Sequence, residues 1–197
     1  MTDAARRETS PHRVRTSGST GRVAVALVLA MLGLLTGCTS TVTPQDIPQA
    51  EKTLSTFTGP DFSVLLPGEP DQTTRTVSTA AGDQQLVFYT VVSKDAAISV
   101  AVTTYPNGVP VDLDGAVNGA AGNIGGTVLS SAPITIGADE GRDGRIGSSR
   151  DGVNLAVYFR MVLSGQRLVQ IQQVVTGAEL GSPPSNYQQI VESLVLS

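Results

Sequence analysis

The chain predicts an α+β fold, one antiparallel sheet with helices packed on it. Three observations predict it. Apolar residues alternate with polar or small ones over several segments, most clearly Val153, Leu155, Val157, Phe159, Met161 and Leu163, which is the period of a strand. Turn signals such as Pro67-Gly68, Ala81-Gly82-Asp83, Asp151-Gly152 and Gly165-Gln166 join these segments at hairpin length, and hairpins enforce antiparallel pairing. Helical spacing is confined to one stretch in mid-chain and one near the end, each with an apolar stripe that needs a sheet to cover.

The elements follow in order. Phe62–Leu66 is a short apolar strand closed by Pro67-Gly68. Thr73–Thr79 is β-branched, and the turn at Ala81-Gly82-Asp83 leads into Gln84–Ser93. Ile98, Val100, Val102 and Thr104 alternate with Ala97, Ser99, Ala101 and Thr103, so one face is expected to be buried and the other half exposed. Pro110-Val111-Asp112 starts a helix that Asp112 caps, with Asp114 at the positive end of the macrodipole. Leu113, Val117, Ala120 and Ile124 share one face of it, and Gly125-Gly126 stops it. Its internal Gly115, Gly119 and Gly122 cost about 1 kcal/mol each against alanine, so this helix depends on a sheet beneath it.

Thr127–Ile136 returns to strand, with Pro133 marking an edge or a bulge. Arg142–Ser149 is a weaker polar strand. Val153–Leu163 and Leu168–Val175 complete the sheet, and Gln170, Gln172 and Gln173 suggest a face partly open to water. Ser182-Pro183 opens a last helix with proline at its first position and a stripe of Tyr187, Ile190, Val191 and Leu194.

The first 22 residues carry Arg6, Arg7, Arg13, Arg15 and Arg22 against only Asp3 and Glu8. Residues 23–35 are uncharged and too short for a membrane span, which takes about 20 apolar residues, but have the length of a signal-peptide core. Leu35-Thr36-Gly37-Cys38 follows at once, and Cys38 is the only cysteine. A plain secretory leader would share the basic start and apolar core. The four-residue match and the single cysteine favour a lipobox, the processing signal that bacterial lipoproteins carry. That resemblance implies a diacylglycerol thioether on Cys38, cleavage between Gly37 and Cys38, and commonly a further acyl chain. Two or three chains hold a protein at a membrane essentially permanently, where one is marginal. Arg6-Arg7 lies far from the apolar core and lacks apolar residues after it, which favours the general secretory route over a twin-arginine one.

The expected organisation is therefore a removed leader (1–37), a lipidated cysteine with a Thr/Ser/Pro tether (38–60) and a single domain (61–197). A short helix around Ala50–Ser55 is compatible with the tether's composition. Beyond the leader the chain keeps eight Lys+Arg against fifteen Asp+Glu, a formal −7, which argues against nucleic-acid phosphates and against a polybasic membrane contact. His12, the single histidine, falls in the leader, and Cys38 is taken by the lipid. Triads and zinc sites built on histidine or cysteine are thereby excluded from the domain, and no cofactor is expected.

The stretch Phe62-Ser63-Val64-Leu65-Leu66-Pro67-Gly68-Glu69-Pro70 resembles the opening of PsbP-like domains in bacterial lipoproteins. Gly141-Arg142, Tyr158-Phe159-Arg160, Gly165-Gln166-Arg167-Leu168 and the closing helix are similar in layout. The likeness spans about Asp61–Ser197 and extends to small acidic actinobacterial lipoproteins of the LpqN type. It implies an antiparallel sheet between helices and a non-catalytic binding or accessory role at the extracytoplasmic face of the cell membrane. Its motifs mark a fold and carry no active-site residue.

Four residues stand as ligand or acidic-cluster candidates. Asp139, Glu140 and Asp143 form the densest acidic group, which a calcium ion or a carboxylate-dependent hydrolase could use. The spacing fails the EF-hand pattern, and Arg142 and Arg145 are interleaved, so a solvated turn is the expected reading. Arg160 lies opposite the apolar face of its strand, where it pairs with a carboxylate on a neighbouring strand or lines a groove. Gly119-x-x-Gly122-x-x-Gly125-Gly126 lies inside and at the end of a helix rather than before one, which fits close helix–sheet packing and not a dinucleotide loop. Three functions remain: an accessory module docking an envelope protein, a carrier of an apolar ligand in a cavity of about 300 Å³ or more lined by Val117, Ile124, Phe159 and Tyr187, and a carboxylate-dependent enzyme.

Overall fold

A computed structural model of the chain describes residues 53–197 except 80, 81, 94, 95, 151 and 177–181. The main body is a seven-stranded sheet, antiparallel throughout. After a first hairpin of β1 (Ser55–Thr58) and β2 (Phe62–Leu66), a meander runs through β3 (Asp71–Thr79), β4 (Gly82–Val92) and β5 (Ala96–Thr104). Helix α1 (Leu113–Asn123) carries the chain across to β6 (Thr127–Ile136) at the far edge. A second meander of β7 (Asp139–Arg150), β8 (Val153–Ser164) and β9 (Arg167–Thr176) returns to the centre, where β9 pairs with β5. The order is β3-β4-β5-β9-β8-β7-β6. Helix α2 (Tyr187–Glu192) and β10 (Val195–Leu196) follow, and β10 joins β2 and β1 in a small second sheet.

The sheet is covered on both sides. On one side Leu113, Ala116, Val117, Ala120 and Ala121 of α1 pack on Ile146, Val157, Phe159, Met161 and Leu168. On the other, Phe62, Val64 and Leu66 of β2 and Tyr187, Ile190 and Val191 of α2 pack on Tyr89, Val100, Tyr158, Val162, Val169 and Ile171. The half-exposed face expected of β5 is therefore corrected: Ala101 and Thr103 are as buried as Ile98 and Val100. Gln170, Gln172 and Gln173 are likewise buried rather than open to water.

Helix α1 begins and ends where local chemistry places it. The Asp112 carboxylate accepts from the amides of Asp114 and Gly115, both at 3.1 Å. At the other end Gly125 takes φ 61°, and the amides of Gly126 and Gly125 donate to Ala121 and Gly122, a Schellman closure that glycine makes cheap. Close packing explains Gly126, where a Cβ would stand 2.6 Å from the Gly147 carbonyl oxygen, but not Gly122 or Gly125, whose Cβ positions face open space.

Two boundaries differ from expectation. Residues 55–58, placed in the tether, form β1, and Ser55 is strand rather than helix. Leu54 and Phe57 pack on the core, and the Phe57 ring meets those of Tyr89 at 5.1 Å and Phe62 at 6.0 Å. Helix α2 starts at Tyr187 and not at Pro183, because Pro184 pushes the residue before it out of the helical region. Strand β6 is an edge with a bulge between Val128 and Ser130, and Pro133 sits in it without breaking a central ladder.

Candidate functional site

Gly37 and Cys38 lie outside the described residues. The acidic candidates fall in β7, paired on both sides, so the expected solvated turn is corrected: the chain turns earlier, at Gly137 with φ 61°. Strand alternation then separates the acids. Asp143 stands opposite Arg160, while Glu140 stands opposite Leu163 on the α1 side of the sheet. Among the described residues no group of three or more His, Cys, Asp or Glu is placed to hold a metal ion.

Arg160 and Asp143 meet across the β7–β8 ladder, Nη2 to Oδ2 at 2.5 Å and Nε to Oδ2 at 3.2 Å, with 12% and 26% of their side chains exposed. Arg160 also donates from Nη1 to the Val191 carbonyl at 3.0 Å. The Tyr187 hydroxyl reaches the other carboxylate oxygen at 3.4 Å. Burial, then the Asp143 charge, pushes the Tyr187 phenol well up, so it stays a proton donor. Two of these four hydrogen bonds, to the Val191 carbonyl and from the Tyr187 hydroxyl, reach α2, so the cluster ties that helix to the sheet.

Arg142 makes a second tie, on the opposite side. Its guanidinium grips Asp114 of α1 with both forks, 2.6 Å from Nε and 3.1 Å from Nη2. The hydrogen bond from Arg142 holds the Asp114 carboxyl below the usual carboxylate range, and the same bond raises Arg142. The interleaved arginine thus binds a helix residue directly and also feels the charge of Glu140 in its own strand.

One groove, of about 180 Å³, opens beneath the β1–β2 turn. Phe62, Val87, Tyr89 and Val102 line it, with Asp61, Gln85 and Thr104 among its polar groups. Its wall is clamped in place: Arg167 pairs with Asp61 and donates to the Ser197 carbonyl, and the Ser197 amide donates to the Asp61 carbonyl. Sequence reasoning missed it because its lining comes from β2, β4 and β5 and from a turn assigned to the tether. The cavity expected between Val117, Ile124, Phe159 and Tyr187 is corrected: the first three lie on the α1 side and Tyr187 on the other, with the sheet between them.

The seven-stranded antiparallel sheet, with α1 on one side and the β1–β2–β10 layer and α2 on the other, defines a PsbP-like α+β fold. The chain is similar to the solved structure of cyanobacterial PsbP (CyanoP) from Synechocystis sp. PCC 6803, at a TM-score of 0.51 and 11% identity over 84% of this chain and 100% of that one. At that identity the likeness is one of fold and transfers no residue's role. A Pseudomonas aeruginosa protein of unknown function matches at a TM-score of 0.35 and 9% identity, over 64% of this chain and 85% of that one. No family model and no curated protein matches the chain.

Proposed function

We propose that the protein is a lipid-anchored, non-catalytic accessory module on the extracytoplasmic face of the cell membrane, in the manner of LpqN-type actinobacterial lipoproteins, and that it docks an envelope protein. The anchor rests on the basic leader, its short apolar core and Leu35-Thr36-Gly37-Cys38. The observation that carries the accessory reading is how these charges are used structurally: Arg160 and Asp143 pair across β7–β8 and bond Val191 and Tyr187 of α2, and Arg142 ties Asp114 of α1 to β7. The carrier reading loses its support with the cavity it required, since a groove of about 180 Å³ falls short of the 300 Å³ or so at which ligand pockets begin.

The anchor is tested by Cys38→Ala in the native host. The variant is expected to lose labelled palmitate, to leave the membrane fraction and to keep a folded domain. Retention in the membrane fraction would place the attachment elsewhere. Docking is tested by photo-crosslinking from Gln85 and Thr104, at the groove, and from Thr127, at the far edge of the sheet. A discrete adduct from the groove positions alone is expected, and equal labelling from all three would remove the groove as the contact.

A further inference from the structure

On the α1 side of the sheet, β4, β5 and β9 carry a contiguous set of buried polar side chains. Leu86 faces Thr103, so Gln84 comes level with Tyr105 just beyond the end of β5. The Tyr105 amide donates to the Gln166 carbonyl at 2.8 Å, which brings Gln166 into the same row. Gln170 stands opposite Ala101, one side-chain step from Thr103. Leu86, Ala101, Tyr105 and Leu168 belong to the α1-side core, so by alternation Gln84, Thr103, Gln166 and Gln170 point to that side too. Gln84, Thr103, Tyr105 and Gln170 are 1%, 0%, 3% and 1% exposed.

Their polar ends have no hydrogen-bond partner among the described residues: both side-chain atoms of Gln84, Oγ1 of Thr103, Oη of Tyr105, and the Oε1 atoms of Gln166 and Gln170. Native proteins satisfy nearly every such buried atom, with protein or with bound water. The chemistry of the set selects the ligand. None of the five carries a charge, and burial pushes the Tyr105 phenol up to about 12, so it is neutral over the working range. With no counter-charge in the set, a bound ion would be a lone charge in a low-dielectric site. Three amide oxygens require a donor, while the Gln84 amide nitrogen requires an acceptor. Water supplies both and is content with two to four such partners.

We propose that Gln84, Thr103, Tyr105, Gln166 and Gln170 enclose ordered water, an internal hydration site between β4, β5, β9 and the segment that leads into α1. A high-resolution crystal structure of the full chain tests this directly. Enclosed waters within hydrogen-bond distance of these side chains are expected. A dry cluster whose amides have rotated to pair with one another would overturn the proposal. The variant Thr103→Val gives an independent reading. With water present, losing the hydroxyl strips a partner from it, and Tm falls by roughly 2–4 °C. In a dry site the same change removes an unsatisfied atom, so an unchanged or higher Tm counts against the water.

Discussion

Single side chains decide how the two helices are held. Arg160 is the strongest case, since one guanidinium serves the Asp143 carboxylate and the Val191 carbonyl at once. Arg160→Met keeps much of the aliphatic packing of the stem but strands a partly buried carboxylate and a helix-end carbonyl. The expected loss is about 2 kcal/mol of unfolding free energy, the range for hydrogen bonds to charged groups, read by urea denaturation. Asp143→Asn should cost less alone and should recover part of the loss when added to Arg160→Met; strictly additive losses would show that the pair does not couple. Asp114 makes a prediction in pH. Its folded pKa lies below the unfolded value because Arg142 bonds the ionised form, so its contribution is present above the unfolded value near 4 and is lost as pH falls through the folded one. Asp114→Asn should therefore lower Tm at pH 7, with the gap closing as pH drops below about 4. A gap constant down to pH 2 would mean that the carboxylate contributes nothing through its charge.

Elements divide into those whose limits are written locally and those fixed by distant partners, and this sets how much of each was readable. Helix α1 was legible because Asp112 and Gly125-Gly126 act on the backbone beside them. The start of α2 was not, because Ser182-Pro183 gives a start signal that the next proline cancels, and the Asn186 side chain that could cap it is held by Gln173 instead, 3.2 Å away. Period two revealed the strands but not that both faces are covered, since Ala101, Thr103 and Gln170 suit a core or a wet face equally until α1 is in place. The glycines of α1 convert the same distinction into a measurement. Gly122 is helical with nothing near its Cβ position, so Gly122→Ala should stabilise by about 0.5–1 kcal/mol. Gly126→Ala would drive a methyl into the Gly147 backbone and should cost about 1–3 kcal/mol. Thermal melts of the two variants should move in opposite directions, and a shared direction would contradict the packing of the α1 terminus on β7.

At the scale of the molecule, the seven-stranded sheet is finished only when the β1–β2–β10 layer and α2 close its second side. Composition hid this, because Thr, Ser and Pro before Asp61 read as tether while Leu54 and Phe57 act as core. The groove was hidden with it, since Pro60 and Asp61 become a wall only once β1 turns back along β2. What the sequence did show, the charged partner for Arg160 and the α+β class, depended on alternation within strands that are contiguous in the chain. The boundary can be tested by length. A fragment beginning at Thr53 keeps all four β1–β2 register pairs and the ring contacts of Phe57 with Phe62 and Tyr89. A fragment beginning at Asp61 loses them and bares Phe62 and Tyr89, which are 1% and 5% exposed in the intact fold. Uncovering apolar area of that kind, together with a lost ladder, should cost about 3 kcal/mol. The longer fragment should unfold at the same urea midpoint as the chain from residue 38, and the shorter one well below it. Equal midpoints would return residues 53–60 to the tether and leave the groove without its wall.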